Sequence, residues 1–306
     1  MRAIHWTITT AVVFCAVVAG AAGSSFSLHG TEHLDVTTSY DQGWLWGSST
    51  ADVLENGSIG HYAYVNNEAM LAVHNGGVNN LYAYQSSTVV LASGHVNNIR
   101  TYDNVAVHIS GGNVAYIRAQ DSTAIDLSGG SVFRLRAYKS SAVHLSEGSV
   151  SLLHANDSTA VALSGGYVKS LFAHNTSTVD ISRDSVTSSL YAYDSSTVDI
   201  SGDSVCDLHP RGDSVSLRAW GGSVSIYGHD FEATDGLELV EIGVIDDEPW
   251  YEVVGTGILT GKVFDDTSWA IEITANDGSI YAIPEPATLA MLGLGGLAVV
   301  LRRRRR

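Results

Sequence analysis

Cysteine and proline are both scarce, since the chain of 306 residues contains two cysteines and four prolines. Cys15 lies in an apolar stretch near the N-terminus, so Cys206 is the single cysteine in the remainder of the chain. One cysteine cannot form an intramolecular disulfide framework or a cysteine-based zinc site. The hydrophobic share of 45% is ordinary for a folded protein, and it argues against a largely disordered chain.

Basic residues are also few, with 16 Lys and Arg against 32 Asp and Glu and a formal net charge of −16. The imbalance is larger in residues 24–283, which contain 10 bases and 31 acids. A surface of this charge repels the phosphates of nucleic acids and of anionic lipids. The sequence therefore predicts no nucleic-acid partner.

Residues 1–23 have the three-part build of a secretory signal peptide. Arg2 supplies a basic start, residues 8–18 form an apolar run, and residues 19–23 are small. This order predicts export, with cleavage between residues 19 and 24. A retained anchor helix is the alternative interpretation.

Residues 81–207 consist of seven consecutive copies of one short sequence unit. The copies are 18 residues long, except for one of 19, and they occupy residues 81–98, 99–116, 117–134, 135–152, 153–170, 171–189 and 190–207. Degenerate copies precede and follow them. A repeat of this length is typical of a solenoid, in which each unit packs only against its neighbours.

The unit 117–134 shows how the aliphatic residues are placed. Residues two apart in a strand share one face. The pattern therefore predicts five inward side chains, which are Ile117, Ala119, Ile125, Leu127 and Val132. Between the pairs lie short runs of Ser, Thr, Asp and Gly, the residue types that form turns. One turn position carries glycine in five copies, as Gly94, Gly112, Gly130, Gly148 and Gly166.

This pattern predicts an all-β fold, a parallel β-helix (solenoid) with about 18 residues per rung. A left-handed hexapeptide helix places a small aliphatic residue at every sixth position. Here the inward residues come in pairs two apart with uneven spacing between the pairs, so a right-handed helix is favoured over a left-handed one. The repeat array is assigned to residues 24–229. Residues 230–283 alternate like strands, and we expect them to form a β-rich cap over the open end of the array.

The C-terminal end has three elements in a fixed order. A Pro-Glu-Pro triplet at 284–286 is followed by 15 apolar or small residues at 287–301 and by five arginines. This end resembles the PEP-CTERM sorting signal of Gram-negative bacteria, and the resemblance covers residues 283–306. The residues that carry it include Pro284, Glu285, Pro286, Arg302, Arg303 and Arg304.

The resemblance implies how the protein is transported. It implies export through the inner membrane, transient anchoring by a C-terminal transmembrane helix within 284–306, and recognition by an exosortase-type sorting enzyme. The implied destination is the cell surface or the extracellular matrix, in association with extracellular polysaccharide. A segment of 15 residues is short for a membrane span, although flanking arginines can extend its reach.

Aromatic and arginine side chains follow the first inward residue of each unit, and they are predicted to share one outward face. Aromatic rings and planar hydrogen-bond donors suit sugar rings. The sequence thus offers a candidate glycan-binding stripe, and the alternative is that these side chains only pack against each other on the sheet. The stripe comprises Tyr82, Tyr84, Arg100, Tyr102, Arg118, Arg136, Tyr138, Tyr191 and Tyr193. The remaining positions of the same face carry Gln120, His154, Asn156, Phe172 and His174.

A second outward position carries His108, Asp126 and His144 in consecutive units. These side chains could bind a divalent cation or form hydrogen bonds between rungs. A flat wall offers few convergent ligands, so hydrogen bonding is favoured, and the sequence predicts neither a metal site nor a cofactor.

No catalytic motif interrupts the repeats, and uniform short turns leave no groove where carboxylates could converge. We therefore expect no catalytic residues and no enzyme activity. The predicted function is that of an exported β-solenoid with a structural or adhesive role, associated with exopolysaccharide. The alternative is a glycan-binding module that uses the Tyr/Arg stripe. An ice-binding protein and a polysaccharide-active enzyme rank below both.

Overall fold

The fold is described from a computed structural model. The structure describes residues 24–284 apart from seven short gaps, at 183–184, 202–204, 211–214, 220–222, 246–247, 263–267 and 276–278. These described residues form 25 β-strands and contain no helix. The predicted signal peptide at 1–23 and the predicted transmembrane helix at 287–301 lie outside them.

Strands β1 to β21 build successive coils of a β-solenoid, each with one strand on the shorter side and one on the longer side. The strands of the shorter side are β2 His33–Val36, β4 Thr50–Val53, β6 Met70–Val73, β8 Thr88–Leu91, β10 Ala106–Ile109, β14 Ala160–Leu163, β16 Thr178–Ile181, β18 Thr197–Ile200 and β20 Val215–Ala219. The strands of the longer side are β1 Ser25–Leu28, β3 Ser39–Leu45, β5 Ser58–Val65, β7 Gly77–Ala83, β9 His95–Thr101, β11 Asn113–Ala119, β15 Tyr167–Ala173, β17 Val186–Ala192, β19 Val205–Pro210 and β21 Ser223–Thr234. Two strands, β12 Ala124–Ala137 and β13 Ala142–Ala155, continue through both sides of their coils.

Equivalent strands of adjacent coils pair in parallel, which confirms the predicted solenoid. Val107 lies opposite Ile125, and Ile109 lies opposite Leu127, a shift of one sequence unit. Parallel pairing of equivalent strands continues through about ten turns. The handedness that the sequence favoured stays a prediction.

The interior of the solenoid is filled by the predicted aliphatic side chains. Ile117, Ala119, Ile125, Leu127 and Val132 are each at most 1% exposed, as the repeat pattern predicted. The longer strand departs from simple alternation, because residues 114 and 117 are both buried although they are three apart. A bend between them turns the strand, so that two strands supply three inward-facing stretches per coil.

In the regular coils between residues 81 and 175, two corners of each coil have a left-handed backbone. The predicted glycine position has positive φ in all five copies, from +71° at Gly130 to +88° at Gly94. The other corner has positive φ at non-glycine residues, including Asp121 (+61°) and Asp157 (+60°). Here the side chain contributes to the stack, because the Asp157 carboxylate accepts a hydrogen bond from the backbone N–H of Lys139 in the preceding coil, at 2.9 Å. Aspartate is one of the few residue types that tolerate this conformation.

The two ends of the solenoid are closed differently. At the C-terminal end, β24 Ser268–Ala275 and β25 Ser279–Pro284 add parallel strands to β20 and β21. Strand β23 Glu248–Lys262 then runs antiparallel along both, and its other edge pairs with β22 Leu237–Ile245. An antiparallel strand at this position covers the edge of the last parallel coil. The division of the chain into units at residues 229 and 283 stays a prediction.

At the N-terminal end, large aromatic side chains occupy inward positions. Phe26 lies opposite Gly43, and the ring fills the space that a side chain at Gly43 would need. The ring of Phe26 packs edge-on against Tyr40, with centroids 5.1 Å apart. These two aromatic side chains fill the core at the N-terminal end of the array.

Candidate functional site

One outward position carries a planar side chain in eleven consecutive coils, and we call this series the stacked column. Its members each follow an inward residue of the longer strand, so they point to the outer face. The parallel register aligns them from coil to coil. The stacked column comprises Trp44, Tyr64, Tyr82, Arg100, Arg118, Arg136, His154, Phe172, Tyr191, His209 and Tyr227.

A second series, the flanking column, lies two residues further along each coil. It contains Tyr84, Tyr102, Gln120, Tyr138, Asn156, His174 and Tyr193. Tyr84 and Tyr102 are stacked, with ring centroids 5.1 Å apart and planes 8° apart. Burial is the main reason that the pKa of Tyr84 is raised, and the neighbouring Tyr102 raises it further.

The nine stripe residues that the sequence singled out therefore lie on one outward face. Tyr82, Arg100, Arg118, Arg136 and Tyr191 belong to the stacked column, whereas Tyr84, Tyr102, Tyr138 and Tyr193 belong to the flanking column. Their role in binding stays a prediction. Sequence reasoning missed four members, because they lie in degenerate copies, but each directly follows an inward residue: Trp44, Tyr64, His209 and Tyr227.

The aromatic rings of the stacked column cover each other's faces. Phe172 and Tyr191 have centroids 4.9 Å apart with planes at 8°, and Tyr191 and His209 have centroids 4.8 Å apart at 17°. The ring planes thus stand across the rod axis, and each ring presents its edge to solvent. A sugar can therefore reach hydroxyl groups, ring nitrogens and ring edges here, whereas the faces between adjacent stacked rings are occupied.

Three arginines form the middle of the stacked column. The guanidinium carbon of Arg100 lies 5.4 Å from the ring centroid of Tyr82, and its Nη1 donates a hydrogen bond to the Tyr82 hydroxyl at 2.9 Å. The guanidinium carbon of Arg118 lies 5.2 Å from the ring centroid of Tyr138. Arg136 is aligned with Arg118 in the next coil. Like charges in adjacent strands repel, so these aligned side chains favour an anionic partner.

The arginines also influence the histidine that follows them. Burial is the main reason that the pKa of His154 is lowered to about 4, and the positive charges of Arg136 and His174 contribute to the same shift. Burial likewise lowers the pKa of His174. His154 stacks on Phe172 with centroids 4.6 Å apart, so it behaves at neutral pH as an uncharged aromatic member of the column.

We expect acidification from pH 6.5 to pH 4 to destabilise the protein through His154. In this window the unfolded chain binds a proton at His154 and the folded chain does not, so the free energy of unfolding falls as the pH falls. The full shift in the pKa of His154 corresponds to a loss of about 3 kcal/mol in the free energy of unfolding. Because the side chain is partly exposed to solvent, we expect a loss of about 1–2 kcal/mol. His154→Phe should weaken this pH dependence, measured by denaturant unfolding at pH 4.5 and pH 7.5.

The control for this experiment is Gln120→Phe, because it adds the same ring to the flanking column and removes no titratable group. It should leave the pH dependence as in the unchanged protein. If His154→Phe has the same slope of stability against pH as the unchanged chain, His154 is protonated in the folded state and the assignment is wrong.

The second predicted outward position forms a row of side chains on the shorter strands. His108 Nδ1 lies 3.3 Å from one oxygen of the Asp126 carboxylate, and His144 Nδ1 lies 3.6 Å from the other. The carboxylate thus bridges two imidazoles across three coils. Among the residues that the structure describes, one group has three potential metal-ligand atoms within 4.8 Å of one another, and it lies elsewhere on the shorter strands, at His33, Asp35 and Asp52. Sequence reasoning missed this group because the first coils depart from the 18-residue spacing.

The sorting residues lie at the edge of the described region. Pro284 is the last residue of β25, whereas Glu285, Pro286, Arg302, Arg303 and Arg304 lie outside the described residues. Within the described part of the chain, no helix is both long enough and apolar enough to span a membrane. The predicted transmembrane helix lies outside the described residues.

Comparison with known proteins identifies one segment of the chain. Residues 282–306 match the PEP-CTERM protein-sorting motif, which confirms the resemblance seen at the C-terminal end. Neither the curated proteins nor the solved structures include a match to this chain. The motif marks proteins that are exported and sorted at the membrane, and it implies processing by an exosortase-type enzyme. It carries no information about the β-solenoid.

Proposed function

We propose that this PEP-CTERM-bearing β-solenoid is a rigid structural rod of the cell surface or extracellular matrix, and that it adheres to the extracellular polysaccharide of the producing cell. The observation that carries the proposal is the stacked column, eleven coils long, on one outer face of an otherwise acidic rod. The sorting motif, which marks exported proteins sorted at the membrane, supports the proposed location. Catalysis forms no part of the proposal.

The structural role follows from the way the coils are joined. Coils from β4 to β11 are connected by turns of three or four residues, so the rod has few long segments that could move or form a groove. Asp side chains at four corners accept hydrogen bonds from the preceding coil, and aliphatic side chains pack against each other inside, so both join neighbouring coils. Such a stack resists local opening, because a coil in the middle loses contacts on two sides when it unfolds.

The adhesive role depends on the polar edges of the stacked column. Apart from Phe172, each member of the column adds one polar group about 4.8 Å further along the rod, which is close to the length of one pyranose ring. An extended polysaccharide could therefore meet a hydroxyl or guanidinium group at successive sugars. Single contacts of this kind are weak, so affinity should increase with the number of coils engaged.

The arginine part of the column favours an acidic polysaccharide. Arg100, Arg118 and Arg136 are three of the 10 bases in residues 24–283, and they are aligned in consecutive coils. Carboxylate or sulfate groups on a sugar can form charge-assisted hydrogen bonds with guanidinium groups. Binding should then weaken as the salt concentration rises.

The experiment compares retention of the purified protein on exopolysaccharide from the producing cell at low and physiological salt. Changing Arg100, Arg118 and Arg136 together to Ser should abolish retention, and it should lower stability by no more than about 1 kcal/mol per residue. A charge-matched control changes Lys139, Lys169 and Lys262 to Ser, which lie outside the stacked column. The control should retain binding. Equal retention of the arginine variant and the unchanged protein would show that the three arginines do not bind the polysaccharide. Only the structural role would then stand.

A further inference from the structure

We propose that His33, Asp35 and Asp52 form a binding site for a divalent transition-metal ion, with Zn²⁺ as the representative, that joins the first coil of the solenoid to the second. The site lies on β2 and β4, on the outer face that is separate from the stacked column. It is independent of the proposed polysaccharide contact.

The parallel register brings the three ligands together. His33 lies opposite Thr50, and Asp35 lies opposite Asp52, with Leu34 and Ala51 pointing inward between them. Residues two apart on a strand share a face, so the four outward side chains occupy the corners of one small patch. The patch is half-buried, since the side chains of His33, Asp35 and Asp52 are 27%, 39% and 29% exposed.

The imidazole of His33 is held in an orientation that suits a ligand. Its Nδ1 lies 2.6 Å from the Thr50 hydroxyl oxygen, and its Nε2 points at the two carboxylates. A hydrogen bond from Nδ1–H to an oxygen is the usual support for a histidine that binds metal through Nε2. Nε2 also lies within hydrogen-bond distance of Asp35 Oδ1, so a metal ion would take the place of the proton that Nε2–H donates to this carboxylate.

The distances fit a small divalent ion. His33 Nε2 lies 3.1 Å from Asp35 Oδ1 and 4.0 Å from Asp52 Oδ2. Two ligand atoms at about 2.1 Å from a tetrahedral zinc ion are about 3.4 Å apart, which lies between these two values. One nitrogen and two carboxylate oxygens leave a fourth position open to water. Imidazole favours Zn²⁺ and its neighbours over Ca²⁺ and Mg²⁺, which prefer oxygen ligands.

The surrounding sequence supplies no permanent positive charge to neutralise this patch. Residues 24–99 contain six acidic residues and neither Lys nor Arg. The equivalent row further along the rod differs, because there Asp126 is a single carboxylate between His108 and His144. The first two coils thus combine two carboxylates with one imidazole in a region without Lys or Arg, which favours a bound cation.

A metal ion at this location would stabilise the first coil of the solenoid. Within the residues that the structure describes, β2 pairs on one side only, with β4, so the first coil has half the strand contacts of a central coil. An ion bound to Asp35 in the first coil and Asp52 in the second would join the two where local opening is easiest. Metal binding should therefore slow the opening of β2.

The test measures Zn²⁺ binding to the purified, untagged protein after treatment with a chelator. We expect one equivalent of Zn²⁺ at this site, no comparable binding of Ca²⁺ or Mg²⁺, and slower hydrogen exchange of the His33–Val36 amides when Zn²⁺ is present. At a free concentration of 100 times the Kd, protection of amides that exchange only after β2 opens should increase up to about 100-fold.

Single substitutions test which residues bind the ion. His33→Gln and Asp52→Asn should each remove the bound equivalent and the added protection, whereas His108→Gln, in the equivalent row, should retain both. Far-ultraviolet circular dichroism and the unfolding midpoint without metal establish that each variant is folded. Absence of Zn²⁺ binding, or binding that survives both His33→Gln and Asp52→Asn, would overturn the proposal. Loss of binding in His108→Gln alone would assign the ion to the other row and would likewise overturn it.

Discussion

Leu127→Ala is expected to lower the free energy of unfolding by about 2–5 kcal/mol, because it creates a cavity in a closely packed interior. Leu127 has no exposed surface, and it lies in the stack between Ile109 of the preceding coil and Leu145 of the next. Neither neighbour can move into the space without pulling its own coil out of register. A loss of this size changes the folding equilibrium by at least about 30-fold.

The matched control is Asp126→Ala, at the adjacent position on the same strand. The Asp126 side chain is 51% exposed and faces two histidines on the outer surface, so its removal should cost less than about 1 kcal/mol. Denaturant unfolding of both variants, with the same probe, provides the comparison. A larger loss for Asp126→Ala than for Leu127→Ala would show that the assignment of inward and outward positions is shifted by one residue.

The interior of the rod could be predicted from the sequence because the repeat supplies the same information several times. Ile117, Ile125 and Leu127 recur as aliphatic residues in every regular copy, and a period of two within each pair fixes their face. The bend in the longer strand was harder to predict. Val114 and Ile117 are three apart and both buried, and a spacing of three does not identify a strand by itself.

The corners were predicted only in part. Gly112 and Gly130 indicate a left-handed corner because glycine is the residue that most readily adopts positive φ. The second corner is occupied by varied residues such as Gln85, Asp121 and Lys139, whose φ values lie between +58° and +61°. It became visible only from the structure, because its conformation is set by the position of the neighbouring coils and not by one residue type.

The candidate site was likewise predictable from the sequence only in part. The alignment of Tyr82, Arg100 and Arg118 followed from the repeat, since equivalent outward residues of a solenoid lie one above the other. The orientation of their side chains did not follow, because stacking of ring on ring depends on contacts across coils. Likewise, His33 and Asp52 are 19 residues apart in the sequence, and only the strand register brings them together.

Gly130→Ala should destabilise the protein about as strongly as a cavity in the core, by about 2–5 kcal/mol. Two physical effects contribute. Gly130 has a φ of +71°, which disfavours any residue with a side chain. In addition, an added Cβ would lie 2.7 Å from the carbonyl oxygen of Gly111 and 2.8 Å from that of Gly112, in the preceding coil. These contacts are with backbone atoms, so adjacent coils would have to separate at this corner.

A suitable control is Gly60→Ala, where the added Cβ would lie 3.6 Å from the Tyr40 carbonyl oxygen at an ordinary contact distance. It should change the free energy of unfolding by less than about 0.5 kcal/mol. The two variants add the same methyl group, so the difference between their unfolding midpoints isolates the effect of the corner. Equal midpoints would show that the coils can separate at the glycine corner at little cost. The close approach of Gly111 and Gly130 would then contribute little to the stability of the rod.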